Sequence, residues 1–334
     1  MYFMATTLKI SHFFPLWHVL KKEEILPAIK EIREGGIEYL TLDERVLLKI
    51  VEEPAFGEFF RDTLRQTGMK IFDVHGLCGV KYDLDIDSGK EAVAHMIATH
   101  IKCLHYAASL GAKTYTVHMG AVVWNRTPGG LSLEEVRQNT IAAFEKLLPE
   151  AEKTGMILCG ENSYEPVNTP DEAVFYARYF ASPFLGCCFD SGHANMMRKN
   201  GKKPEDYSET FRQIIWRNAL TFEDAPIEKM APYIVTCHLH DNNGLEDFHY
   251  LPGAGNTQWD SVMEQLKKCP RLVSLQNEGT GFLPGIRCRE FEEKLLASPA
   301  VRKEYASRIR KIFSILADDS PEKEDALKRE MEKI

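Results

Sequence analysis

Eight short apolar runs alternate with longer stretches of helical period along this chain, and few folds accommodate that rhythm. The runs are Leu8–Phe14, Ile37–Leu42, Lys70–His75, Thr114–His118, Met156–Glu161, Leu185–Asp190, Tyr233–His240 and Leu272–Glu278. Strands joined by helix-length connections pair in parallel, and a parallel sheet needs helices over its faces. The intervening segments carry matching punctuation. Ser132 stands as an N-cap before Glu134 and Glu135, and Gly155 supplies the stop; Glu24–Arg33 ends at Gly35 and Gly36, Glu58–Gln66 at Gly68, Gly89–Leu110 at Gly111, and Thr257–Cys269 at Pro270. Eight such units predict an α/β fold, a closed (β/α)8 TIM barrel in a single domain, with an open doubly wound sheet as the fallback. No Gly-x-Gly-x-x-Gly follows the first strand, which removes the main reason to prefer a dinucleotide-binding sheet.

The barrel is expected over residues 8–316, since no Pro/Ser-rich linker interrupts them. Residues 317–334 read as a charged C-terminal tail, a solvated helix that frays. A net charge of −8 argues against general affinity for nucleic acid or an anionic membrane, because both need a basic face. The eight cysteines form no Cys-x-x-Cys pair and mostly lie in apolar runs, as buried thiols in a reducing compartment do. Met1 to Trp17 lacks the features of a secretory leader and nothing reaches transmembrane length, so a cytoplasmic location is expected. A homo-oligomer is compatible with all of this.

Ligand-type side chains recur where the strands end. His75, His118, Glu161, Asp190, His238 and Glu278 fall at six predicted strand ends; His193 follows Asp190 by three residues and His240 follows His238 by two. In a parallel barrel those ends share one mouth, where catalytic groups gather. Glu161 and Glu278, flanked by apolar residues, are costly to bury unless paired or bound to a cation. Asp247 and His249 are one residue apart, so in an extended loop both point the same way. His95, His100 and His105 in the long helical segment Gly89–Leu110 are read instead as ordinary hydrogen-bonded histidines. Residues 198–222, longer than a simple connection, either shape the mouth or form a surface excursion.

The stretches Phe189-Asp190-Ser191-Gly192-His193-Ala194-Asn195, His238-Leu239-His240-Asp241-Asn242, Asp247-Phe248-His249-Tyr250-Leu251-Pro252-Gly253 and Asn277-Glu278-Gly279 resemble the xylose-isomerase-like TIM-barrel superfamily. It includes sugar isomerases and epimerases, inosose dehydratases and apurinic endonuclease IV. The resemblance spans about Leu8 to Ser314. In the isomerase branch it implies one divalent metal held by Glu161, Asp190, His238 and Glu278, with His193 touching substrate. In the endonuclease branch it implies a three-metal cluster with ligands His75, His118, Glu161, Asp190, His193, His238, Asp247, His249 and Glu278. Ala254 departs from the Glu common at that place, and Trp259 matches a frequent family tryptophan expected to pack at the start of the seventh helix.

The expected function is a divalent-metal-dependent isomerase or epimerase of a small sugar or polyol derivative, working by proton transfer through a metal-stabilised enediolate. Glu161 and Glu278 are the expected acid–base pair. His75, His118, His193, His240, Asp247 and His249 are the expected substrate-binding residues. One divalent metal (Mn, Co, Mg or Zn) is expected, or up to three Zn if the chain is an endonuclease IV-like phosphodiesterase. An inosose-type dehydratase is the second alternative, and a non-catalytic metal- or sugar-binding protein the last. The expected partner is a small carbohydrate, with no nucleic acid and no membrane.

Overall fold

Each apolar run supplies one strand. In a computed structural model, β1 (Lys9–His12), β2 (Tyr39–Leu42), β3 (Lys70–His75), β4 (Thr114–Val117), β5 (Ile157–Glu161), β6 (Leu185–Asp190), β7 (Ile234–Leu239) and β8 (Ser274–Asn277) close in sequence order into one parallel barrel, β8 pairing back onto β1. The structure describes residues 8–14, 21–85, 89–120, 131–279, 298–320 and 322–333. Cys288 and parts of the amino-terminal stretch read for targeting lie outside the described residues. Helices α1 (Lys22–Glu34), α2 (Glu44–Glu52), α3 (Pro54–Thr67), α4 (Lys90–Ser109), α5 (Leu133–Thr154), α6 (Pro170–Phe180), α7 (Ser191–Met197), α8 (Pro226–Met230), α9 (Trp259–Leu266), α10 (Pro299–Ala317) and α11 (Lys323–Met331) surround it. This is a (β/α)8 TIM barrel in one domain. Among the described residues no helix is long and apolar enough to cross a membrane.

Alternation along the strands divides the structure into two layers of different chemistry. Leu40, Val74, Tyr115, Leu158, Leu239 and Leu275 point outward and are fully buried beneath helical residues such as Phe60, Leu104, Phe144 and Phe313. Burying each is worth about 1.5–3 kcal/mol, so this shell carries most of the fold. The barrel interior is polar instead. Asp73 Oδ1 accepts hydrogen bonds from Thr114, Thr236 and Ser274 on three other strands. Burial holds this carboxyl above its ordinary range.

The histidines of α4 behave as ordinary structural residues. His100 is fully buried; its Nε2 donates to the Tyr82 carbonyl at 2.8 Å, which leaves Nδ1 to accept from the Tyr115 hydroxyl at 3.0 Å. Burial lowers the imidazole from 6.5 to about 4, against a smaller opposing effect of the Tyr82 carbonyl. The folded value lies below the unfolded one, so the neutral ring stabilises the fold in full above pH 6.5. That contribution is lost as pH falls through about 4. Unfolding free energies from urea titrations across this window should fall more steeply for the wild type than for His100→Gln, by on the order of a few kcal/mol. Parallel profiles would contradict the assignment.

The carboxyl-terminal segment differs from expectation. Residues 323–331 form α11, but it is docked rather than frayed: Leu327 is completely buried, the Lys323 backbone N–H donates to Asp260 Oδ1 at 2.7 Å, and Lys311 pairs with Glu330 at 2.6 Å. Composition suggested solvation; one leucine on the correct face reverses it.

Candidate metal centre at the barrel mouth

The closed barrel brings the strand ends to one mouth. His75, Glu161 and Asp190 close β3, β5 and β6; His238 is the penultimate residue of β7; His118 and Glu278 directly follow β4 and β8. Asp190 is also the N-cap of α7, and its Oδ1 accepts from the His193 backbone N–H at 2.6 Å, which fixes His193 in the first turn.

An inner group forms around His238. Its Nδ1 lies 3.2 Å from Glu161 Oε1 and 3.1 Å from Glu278 Oε2. His118 Nε2 is 3.5 Å from Glu161 Oε2, and His75 Nε2 is 3.8 Å from Glu161 and 3.9 Å from Glu278. Yet Glu161 Oε2, Glu278 Oε2 and both ring nitrogens of His238 are buried with no hydrogen-bond partner among the described residues. Polar atoms that converge without bonding one another are the arrangement a cation's ligands adopt. Two glutamates and three imidazoles supply the oxygen and nitrogen donors such an ion needs, so the residues fit a divalent metal.

The ionisation of the group supports the same conclusion. Burial would raise Glu161, but the His238 and His118 imidazoles hold it well below the usual carboxylate range, and His238 does the same for Glu278. Burial would likewise lower His238; the Cys188, Glu161 and Glu278 side chains reverse this, and His118, beside Glu161, is raised to about 9 despite its burial. The cluster thus demands positive charge, and a divalent ion can replace the protons.

Tautomers are set for ligation. His75, His193 and His249 donate Nδ1–H to the main-chain carbonyls of Gly76, Asn162 and Glu278 at 3.0, 3.0 and 3.3 Å. His75 Nε2 then keeps its lone pair, while Nε2 of His193 and His249 faces Asp247 Oδ2 and carries a proton that a bound cation would replace.

An outer group lies beside the inner one. Asp247 Oδ2 is 3.3 Å from His193 Nε2 and 3.2 Å from His249 Nε2, while His240 stacks on His249 with ring centroids 3.9 Å apart. Asp190 belongs on this side. Its carboxylate is 3.0 Å from His240 Nε2 and 3.3 Å from His193 Nδ1, and His193 Nδ1 in turn lies 3.5 Å from Glu161 Oε1. Of the four ligands expected around one ion, Glu161, His238 and Glu278 therefore meet directly, and Asp190 is engaged by His240 next to them.

Several supporting residues escaped the sequence reading. Asn162 exchanges two hydrogen bonds with the Asp190 backbone, at 2.9 and 3.1 Å, locking β5 to β6 at the site. Asp241 accepts from the backbone N–H groups of Asn242, Gly253 and Thr257 and from Trp259 Nε1, which shapes the loop carrying Asp247 and His249. Trp259 opens α9 and is buried, as expected. Gly192 is required by its neighbour, because a Cβ there would come 2.0 Å from His240 Cε1. Residues 198–222 do bear on the mouth. Trp216 Nε1 donates to the Tyr164 carbonyl at 2.9 Å, and the Tyr164 ring meets His193 edge-on at 5.3 Å.

Residues 29–270 match the model of the xylose isomerase-like TIM barrel family. The uncharacterised protein MJ1311 of Methanocaldococcus jannaschii is 25% identical over 205 residues, covering 59% of this chain; the chain spans 61% of that relative's length. Among solved structures, the fold is similar to that of the 3-keto-D-glucoside 4-epimerase YcjR from E. coli, with a TM-score of 0.61 and 18% identity over 87% of this chain and 98% of that one. It is also similar to an IOLI protein with a bound zinc atom, with a TM-score of 0.64 and 14% identity over 93% of this chain and 98% of that one. With more than half its length matched and a closed eightfold barrel observed, this chain belongs to the xylose isomerase-like TIM barrel family.

Proposed function

We propose that the protein is a divalent-metal-dependent isomerase or epimerase of a small sugar or polyol derivative. The observation that carries this reading is the pair of buried carboxylates, Glu161 and Glu278, set 3.2 and 3.1 Å from the same His238 nitrogen. A metal held by Glu161, His238 and Glu278, with Asp190 recruited from beside them, supplies Lewis-acid polarisation of a substrate carbonyl when bound. One glutamate removes the proton from the carbon next to that carbonyl and the other returns one. His75, His118, His193, His240, Asp247 and His249 orient the hydroxyl groups. The epimerase among the structural neighbours and the zinc atom in another agree with this chemistry. A panel of ketoses, aldoses and inososes incubated in deuterated solvent tests it: deuterium should enter carbon next to the carbonyl of at least one member. No incorporation with any metal-loaded sample would sink the proposal.

The outer group favours a second reading. His193, His240, Asp247 and His249 bring four ligand-type atoms within 4.8 Å of one another, so the mouth could hold several ions and act as a multi-zinc phosphodiesterase. Metal content separates the two. The sugar reading predicts one exchangeable divalent ion per chain, whose removal by chelator stops turnover and whose return restores it. Three tightly held zinc ions would favour the phosphodiesterase.

A further inference from the structure

We propose that Glu44, His75 and Cys78 form a separate zinc site on the rim of the mouth, and that zinc bound there withdraws His75 from the inner group. The three residues offer one carboxylate oxygen, one imidazole nitrogen and one sulfur, all within 4.8 Å of one another.

The placement follows from the chain path. β2 pairs with β3, and Asp43, just after β2, caps α2 by accepting from the Val46 backbone N–H at 2.8 Å. Glu44 is therefore held in the first turn of α2, at the mouth end of β3. Cys78 comes three residues after His75, in the loop that leaves β3.

The donor set differs in kind from the inner group. A thiolate, an imidazole and a carboxylate suit zinc, with bonds of about 2.0–2.3 Å and donor atoms therefore roughly 3.3–3.8 Å apart. Small side-chain shifts achieve that spacing from the observed one. Manganese and magnesium, which prefer oxygen donors, gain little from the sulfur. Access is available as well: Cys78 is the one free cysteine among the described residues that is not fully buried, and the Glu44 side chain is 29% exposed. Burial foremost pushes the Cys78 thiol up, so zinc has to displace its proton; the nearby carboxylates of Glu44, Asp83, Glu161 and Glu278, which add to that shift, favour the cation that does so.

His75 connects the two sites. Its Nδ1 is committed to the Gly76 carbonyl, which leaves Nε2 as the only lone pair to give. That atom lies 3.8 Å from Glu161 and 3.9 Å from Glu278, so it serves one ion at a time. Zinc on the rim thus acts as an inhibitor of whatever the inner group does.

Cobalt titration of the metal-stripped full chain tests the site through a property independent of turnover, so its failure is distinguishable from failure of the epimerase reading. Sulfur-to-cobalt charge-transfer absorption should appear in the near ultraviolet for wild type and be lost in Cys78→Ser. Glu44→Gln should retain the band with cobalt affinity weakened by about tenfold or more. Zinc should also slow alkylation of Cys78 by iodoacetamide in the unmodified wild type, read by peptide mapping, which needs no variant to fold. Absence of the band in wild type, its persistence in Cys78→Ser, unchanged affinity in Glu44→Gln, or an alkylation rate indifferent to zinc would each overturn the site.

Discussion

Replacing Glu161 or Glu278 by Gln is expected to abolish conversion of the sugar substrate, a loss of at least ~10²–10⁴-fold, the range attributed to a positioned acid or base. A carboxamide has the shape of the carboxylate it replaces but accepts no proton. The barrel should be intact in both variants, because the apolar shell that holds the strands, Leu158 and Leu275 among them, faces away from these side chains. Far-ultraviolet circular dichroism and the urea midpoint check that point, while product analysis by NMR reads the conversion. Retained activity in both variants would exclude the glutamate pair.

The second large effect concerns stability. Leu327→Ala should lower the unfolding free energy by about 2–5 kcal/mol, the cost of removing a fully buried leucine and leaving a cavity. Leu327 lies against Gly253, where a Cβ would come 2.7 Å from the leucine Cβ. Gly253 in turn donates its backbone N–H to Asp241, the carboxylate that shapes the loop bearing Asp247 and His249. The carboxyl-terminal helix therefore supports one wall of the mouth from behind. An unchanged urea midpoint in Leu327→Ala would show instead that α11 is not docked in solution.

The strands were legible because each is a short run whose burial needs no knowledge of its neighbours: Leu185-Gly186-Cys187-Cys188-Phe189-Asp190 is a strand whatever lies beside it, and all six residues are buried. Their ends were legible for the same reason, since a carboxylate closing an apolar run is costly anywhere but at a site. Two features were not read. The helix Glu44–Glu52 is brief and is followed by Pro54 opening α3, so β2 is followed by two helices where one was expected. The docking of α11 depends on a groove that exists only once α9 and α10 are in place. The position of Asp190 was equally hidden. Its residue type and strand predict a ligand, but its attraction to His240 depends on the register of β6 against β7, which pairs Asp190 with His238 and leaves His240 free to curl back. Outer hydrogen bonds such as those from Asn162 to the Asp190 backbone and from Gly253, Thr257 and Trp259 to Asp241 are absent from any linear pattern, because the fold sets which of these groups meet.

In the proposed centre Glu161, His238 and Glu278, with Asp190 drawn in, surround one cation. Crystals soaked in manganese and measured for anomalous scattering test it directly. A single strong inner peak is expected within about 2.0–2.2 Å of donor atoms from these side chains, with the Asp190 carboxylate turned from His240 toward the ion. A manganese peak confined to the outer group around Asp247, or no peak at the mouth, would contradict it.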